Sequence, residues 1–257
     1  MTRKKPILIS LTKITGGLMG NTLDKLYMKL ITSISVIILI FLRKTNKNYK
    51  NLRFGDFDIS KFKLLLPKEP LILEVGANDG TTTAEFLKVF PEAKIICFEP
   101  DSRSVTEFIK NKFPSNVEIN NIALSDKDGT TPFFESSGRE TQWTYSSSIM
   151  RPVMHKYIHP NIKFEEGTLV KTKKLQTFVS ERKISHIDLL WLDTQGSEKS
   201  ILIGIEEEIM KNIDFIYLEF SIFKLYEGSV SLSQISKLLK YHYILALHQN
   251  DVLFAKL

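Results

Sequence analysis

One stretch constrains this chain more than any other: Leu71-Ile72-Leu73-Glu74-Val75-Gly76-Ala77-Asn78-Asp79-Gly80. An apolar run closes on a carboxylate, passes through a glycine loop, and leads into Thr81-Thr82-Thr83. That order predicts a strand, a ligand-binding turn and a helix. Glycine at 76 and 80 lets the backbone turn sharply and approach a ligand that a Cβ would exclude. A second apolar run, Lys94–Phe98, ends in Glu99-Pro100, with Glu99 lying 19 residues after Gly80. An acidic residue about 20 residues beyond a glycine loop is spaced to meet a ribose hydroxyl pair. The two strand ends predict a site for a nucleoside-containing cofactor.

The loop also narrows the cofactor. A dinucleotide fingerprint needs a third glycine for close helix packing, and here it is missing. There is no G-x-x-x-x-G-K-[ST], so a P-loop is excluded. A carboxylate at Glu74 would repel a pyrophosphate but suit a cationic ligand. The residues therefore favour S-adenosylmethionine over NAD, with an ordinary ligand-free α/β turn as the plain alternative.

At 257 residues the chain holds one large α/β domain and a short appendage. Its 43% hydrophobic and 25% charged content is that of a globular protein. A single cysteine, Cys97, excludes an internal disulfide and any cysteine-built metal site. The net charge of +6 divides unevenly. Residues 1–53 carry 11 Lys/Arg and one acid, Asp24; residues 54–257 carry 24 Lys/Arg and 28 Asp/Glu. The body is thus mildly acidic, which argues against a nucleic-acid substrate, because phosphate neutralisation drives such binding.

Residues 1–65 read as a basic and apolar leader. Leu30–Leu42 is LITSISVIILIFL, with Lys25 and Lys29 before it and Arg43, Lys44, Lys47 and Lys50 after it. A bilayer span needs about 20 apolar residues, so this block is short for one. Its flanks suit an anionic membrane surface through residues 25–50. A helix packed on the body and a true span are the other readings. It is not a signal peptide, because the apolar block comes late and no small-residue cleavage site follows.

From residue 66 onward, strands alternate with helical patterns. The expected fold is α/β: a mostly parallel seven-stranded sheet with helices on both faces and an antiparallel closing strand. The predicted strands are Leu71–Val75, Lys94–Phe98, Val117–Asn120, Ile187–Asp193 and Phe215–Leu218. A helix over Ser102–Phe113 is expected to turn Val105, Phe108 and Ile109 inward. Asp128-Gly129 reads as a hairpin turn. Leu175–Arg182 and Ser233–Leu239 read as helices. Tyr243–Leu247, a turn, and Val252–Ala255 form a closing hairpin that a simple dehydrogenase half-domain lacks. Residues 130–172 carry Trp143, Tyr145 and the triplet Ser146-Ser147-Ser148. They read as an insertion over the site or, equally, as a surface excursion.

The segments LEVGANDGTTT (73–83), CFEPD (97–101), NIALSD (121–126), LLWLDTQGSE (189–198), IYLEF and LYEG resemble the FkbM family of S-adenosylmethionine-dependent methyltransferases. The resemblance spans residues 70–257. It implies a Rossmann-like class I methyltransferase fold and O-methylation, commonly of a sugar hydroxyl in a glycan, glycolipid or other hydroxylated small molecule. The family form of LLWLDTQGSE has Lys where this chain has Trp191 and Glu where it has Gln195, so this chain follows a variant branch.

Ligands of open α/β sheets bind beyond the carboxyl ends of the strands. Glu74, Glu99, Asp126, Asp193 and Glu219 all fall there. In this reading Glu74 and the loop of Gly76, Ala77, Asn78 and Gly80 hold the methionine part. Glu99 takes the ribose hydroxyls, and Ala123 with Asp126 flanks the adenine. Asp193 is the leading candidate for base or hydroxyl orienter, with Glu198 and Glu219 next. Glu198 has a second use as a cap on the helix it opens. No histidine pair has metal-ligand spacing with a third ligand near, so no metal is assigned, though a carboxylate-bound Mg²⁺ stays open. The competing functions are an inactive methyltransferase-like scaffold and an NAD-dependent oxidoreductase. The expected location is cytoplasmic, at or near the membrane.

Overall fold

The computed structural model describes residues 59–138, 143–220, 224–248 and 250–257. The stretch 25–50, and with it the membrane-surface expectation, lies outside the described residues. Among those described, no helix is long and apolar enough to cross a membrane.

The chain enters through a short 3-10 helix, Ile59–Leu64, whose Ile59 and Phe62 are buried. Strand β1 (Leu71–Val75) follows, then α1 (Thr81–Val89), β2 (Lys94–Phe98), α2 (Ser102–Lys110) and β3 (Val117–Asn120). Next come β4 (Ala123–Leu124), β5 (Gly129–Ser137), α3 (His155–Ile158), β6 (Lys163–Lys173) and α4 (Leu175–Glu181). The chain then forms β7 (Ile187–Leu192), α5 (Glu198–Ile203), α6 (Glu207–Met210) and β8 (Ile213–Glu219). It ends with α7 (Leu232–Leu238), β9 (His242–His248) and β10 (Asp251–Lys256).

Seven of the strands form one sheet in the order β3-β2-β1-β7-β8-β10-β9. The first five run parallel, and β10 pairs antiparallel with both β8 and β9. This is the expected seven-stranded, mostly parallel sheet with its reversed strand. The central strands are apolar on both faces because helices cover both. One face carries Leu73, Val75, Leu190, Leu192, Ile216 and Leu218; the other carries Ile72, Leu189, Trp191, Tyr217 and Leu253. Phe62 of the entering turn packs edge-on against Trp191, ring centroids 6.2 Å apart. The packed body therefore already includes Ile59.

Two local expectations are corrected. Ile109 is 62% exposed, because α2 turns Ser104 and Phe108 inward instead, and Ile109 projects off that stripe. Asp128-Gly129 does not close a hairpin. Strands β4 and β5 never pair; β6 lies between them, parallel to β4 and antiparallel to β5. Asp128 instead accepts from Lys174 N at 2.8 Å and Thr177 Oγ1 at 2.8 Å, fixing the start of α4. Strands β5 and β6 thus form an antiparallel ribbon that joins β4 through β6.

In this topology the chain winds outward from β1 in one direction and from β7 in the other. The crevice between the carboxyl ends of β1 and β7 is the switch point where open sheets bind ligands.

Candidate active site

The loop after β1 is built by its glycines. Gly76 has φ +87°, and a Cβ there would lie 1.9 Å from the Asp193 carbonyl oxygen, so only glycine lets the β1 and β7 loops touch. Asp193 N donates to Val75 O at 2.9 Å. Gly76 N and Ala77 N both donate to Phe98 O, binding the loop to β2 as well. Gly80 has φ +83°, and its α-face is closed by Phe108 and Phe113.

Above these loops opens a cavity. Its floor is Val75, Gly76, Ala77, Asn78, Asp79, Thr81 and Thr82; Phe98, Glu99 and Pro100 form one side. Ile122, Ala123, Leu124, Phe133 and Ile149 make an apolar end, and Asp193, Thr194, Gln195 and Ser197 the end over β7. Among the described residues, no lysine, arginine or histidine lines it. Among the described residues, the ionisable groups in its lining that carry charge are the carboxyls of Asp79, Glu99 and Asp193.

Glu99 is 6% exposed. Its Oε2 accepts from Asn78 N at 2.9 Å and its Oε1 from Asp101 N at 2.8 Å. Each oxygen keeps a second lone pair for a ligand hydroxyl. Burial pushes the Glu99 carboxyl up to about 7, against the lowering pull of those two amides.

The insertion roofs the cavity. Thr144 Oγ1 donates to Asn78 Oδ1 at 3.1 Å, and Tyr145 OH donates to Asp79 Oδ2 at 2.5 Å. Ser148 Oγ donates to the Gln195 carbonyl at 2.9 Å. Tyr226 OH, from the LYEG segment, donates to Ser146 O at 2.8 Å. Residues 143–149 are thereby tied to both the glycine loop and the loop after β7. The sequence flagged this stretch by its aromatic and serine content but gave no partner for it.

Several predicted site residues stand elsewhere. Gly76, Ala77, Asn78, Glu99, Ala123 and Asp193 line the cavity, whereas Glu74, Gly80, Asp126, Glu198 and Glu219 do not. Glu74 is 1% exposed beneath the loop; its Oε2 accepts from Thr83 Oγ1 at 2.6 Å and Cys97 Sγ at 3.7 Å, and its Oε1 has no hydrogen-bond partner. Burial raises it to about 8, so at neutral pH it is mostly the uncharged acid and brings no negative charge to the cavity wall. Asp126 is exposed and accepts from Ser125 and Ser200 hydroxyls at 3.0 Å each. Glu198 is buried, and its Oε1 accepts from Thr194 N, Thr194 Oγ1 and Gly196 N. It shapes the turn that carries Asp193 and raises no charge into the space. Glu219 ends β8 opposite Asp251 in the strand register.

Among the described residues, one cluster has metal-ligand geometry: His186, Asp188 and Asp214. It sits at the amino ends of β7 and β8, across the sheet from the cavity. His186 Nε2 lies 3.1 Å from Asp214 and 3.5 Å from Asp188.

Comparison with known proteins agrees with this geometry. Residues 74–245 match the family described as "Methyltransferase FkbM domain". The 2-O-methyltransferase NoeI of Sinorhizobium fredii is 36% identical over 179 residues, covering 68% of this chain and 73% of that protein. Methyltransferase 1 of Beauveria bassiana is 24% identical, covering 63% of this chain and 68% of that protein. Among solved structures, the methyltransferase FkbM of Methylobacillus flagellatus overlaps 84% of this chain and 52% of its own, at TM-score 0.47 and 12% identity. Fibrillarin of Aeropyrum pernix, solved with S-adenosyl-L-methionine, overlaps 79% and 77% at TM-score 0.41 and 11% identity.

Proposed function

The chain belongs to the FkbM methyltransferase family, whose cofactor is S-adenosylmethionine, and on that premise we propose that it methylates a hydroxyl of a sugar in a glycan or glycolipid. The observation that carries the reading is the carboxylate of Asp193, at the switch point, lining the same cavity as Glu99. A relative at 36% identity named a 2-O-methyltransferase supports oxygen as the atom methylated.

The residues present fit the cofactor. The apolar end at Ile122, Ala123, Leu124 and Phe133 suits an adenine ring, and Glu99 keeps lone pairs for a ribose diol. The glycine loop and the acidic wall suit a cationic amino acid with a sulfonium. When bound, the cofactor supplies an electrophilic methyl carbon. The protein's part is mainly alignment, since holding two reactants in line removes much of the entropic barrier. Asp193 would hold the acceptor hydroxyl and take its proton. Gln195 Nε2, donating to Asp193 Oδ1 at 3.0 Å, fixes the carboxylate's orientation. Tyr145 and Thr144, bonded to the loop, help to keep water from the reacting atoms. The acidic lining disfavours phosphorylated or carboxylated acceptors and favours neutral or amino sugars.

Mass spectrometry of glycan and glycolipid extracts incubated with the enzyme and cofactor tests this reading. It requires a one-methylene mass gain on a sugar; a gain confined to protein, RNA or carboxylic acids would end it.

Glu99 gives a second measurement. Ribose hydroxyls donate to the ionised carboxylate, so cofactor affinity should rise with pH through about 7. Glu99→Gln should weaken binding by about 10–100-fold at pH 8 and flatten that pH dependence, since hydrogen bonds to a charged group contribute about 1.5–3 kcal/mol. Calorimetry giving wild-type affinity for the variant on both sides of neutrality would remove Glu99 from the cofactor site.

The basic stretch 25–50 supports one further part of the reading, a location at the cytoplasmic membrane face. The full-length protein should sediment with anionic vesicles at low salt and release as salt rises; indifference to vesicle charge would refute it.

A further inference from the structure

The amino edge of the sheet, across from the cavity, gathers three metal-ligating side chains that the methyl-transfer reading leaves unused. Ile187 pairs with Ile213 and Leu189 with Phe215, so Asp188 of β7 and Asp214 of β8 stand side by side on one face. Like charges placed directly opposite on neighbouring strands are destabilising. His186 sets its imidazole against both: Nε2 lies 3.5 Å from Asp188 Oδ1 and 3.1 Å from Asp214 Oδ2. The other oxygen of each carboxylate is engaged from outside the cluster. Asp188 Oδ2 accepts from Leu71 N, at the start of β1, at 2.7 Å, and Asp214 Oδ1 lies 3.8 Å from Lys256 Nζ of β10. Each acid is thus held by one oxygen while the other faces the imidazole nitrogen. Outer partners orient the ligands of a metal ion in the same way. Lys256 offsets one of the two negative charges and leaves the other to a cation.

We propose that His186, Asp188 and Asp214 form a divalent-metal site, with zinc as its ion, that clamps the amino ends of β7 and β8. An imidazole with two carboxylates is a zinc donor set, whereas magnesium and calcium take oxygen ligands. Ligands about 2.1 Å from a tetrahedral zinc ion lie about 3.4 Å from one another. The separations of 3.1 and 3.5 Å bracket that edge, and one ligand atom from each of the three residues lies within 4.8 Å of the other two. Three protein ligands leave a fourth position for water. His186 and Asp214 are partly open to solvent, so an ion can enter. Because Asp188 is also tied to Leu71 N, an ion there braces β1 through its neighbour. The site is remote from the cavity, so its role is the stability of the sheet and not methyl transfer. Spacing in the sequence does not show it, because Asp214 joins the other two only through strand register.

The test is calorimetry of the full-length, chelator-treated protein with zinc chloride at about pH 7.5. A saturable site is expected, with no comparable binding of magnesium chloride; equal binding of the two ions would overturn zinc as the occupant. His186→Ala and Asp214→Asn should each weaken zinc binding by at least about 10-fold, since loss of an orienting partner alone costs about 10–100-fold. Lys256→Met should tighten it, because the lysine competes with the ion for Asp214. Saturating zinc should raise the unfolding midpoint of the wild type and leave that of His186→Ala unmoved. Acidification to about pH 5.5 should release the ion, because the imidazole must be unprotonated to bind it. His155, His159, His242 and His248 remain in both ligand variants, so zinc binding that persists in them unchanged lies elsewhere and would overturn the proposal. So would a wild type that binds no zinc, the behaviour of a cluster that is only a set of ion pairs. Both ligand variants should still bind S-adenosylmethionine, which shows that they are folded. Should either fail to fold, Lys256→Met keeps the whole ligand set and decides the matter: zinc binding no tighter than the wild type's would overturn the proposal.

Discussion

Asp193→Asn should leave cofactor affinity within about threefold and lower turnover by about 10²–10⁴-fold, the usual contribution of a positioned general base. That is about 3–5 kcal/mol of barrier. A sugar hydroxyl is a poor nucleophile, and its proton must leave as the oxygen gains a bond. The proposed reading gives that role to Asp193, since Glu198 is turned back on its own loop and Glu219 does not line the cavity. The substitution is nearly isosteric. It leaves the backbone bond from Asp193 N to Val75 O untouched, so the loops that form the cavity floor should keep their shape. Transfer of a labelled methyl group from S-adenosylmethionine into a glycan extract measures the effect. Wild-type turnover in the variant would take Asp193 out of the mechanism and leave alignment as the protein's whole contribution.

The parts of this molecule legible in sequence are those fixed by local pattern. Leu71–Val75 is apolar, short and followed by a glycine, and it became β1. The closing hairpin was visible from two apolar runs around a polar turn. The place of Glu99 in the cavity lining was legible from spacing, because a β-α-β unit has a nearly fixed length. The three-stranded arrangement of β4, β6 and β5 was not visible, because β4 is a two-residue strand whose partner Thr172 lies far along the chain. No periodicity can develop over two residues. Asp251 looked like a turn residue, since its place beside Glu219 is a matter of register between strands that the sequence does not state.

Glu74 shows a different limit. A strand buried on both faces has no polar alternation, so the sequence does not say which side a carboxylate takes. It faces Thr83 and Cys97, beneath the loop it was expected to serve. The cavity's negative charge therefore comes from Asp79, Glu99 and Asp193, and a site with Glu74 neutralised should still prefer a cationic methyl donor.

Glu74→Gln should accordingly change stability in a direction that depends on pH. The folded-state carboxyl sits at about 8, above the ordinary value of 4.5, because burial penalises its charge. Between those values the folded state holds a proton that the unfolded state has lost. The stability this gives is whole below about pH 4.5 and drains away as pH rises towards 8, by at most about 1.4 kcal/mol per pH unit and roughly 3–5 kcal/mol in all. Glutamine cannot ionise and escapes that loss. It keeps an oxygen for Thr83 Oγ1, but its amide faces the position where Oε1 has no partner, at a pH-independent cost of about 1–3 kcal/mol. The variant should be the less stable protein near pH 5 and the more stable one above pH 8. Glu99 and Asp251 also carry raised values, so both proteins should lose stability with rising pH, and the difference between the two slopes isolates Glu74. Urea denaturation at a series of pH values measures that difference. Parallel curves would mean that Glu74 is ionised in the folded protein, with water or a cation reaching Oε1. Glu74 would then be a charge held directly beneath the methyl donor, and the preference for a cation would rest on four carboxylates.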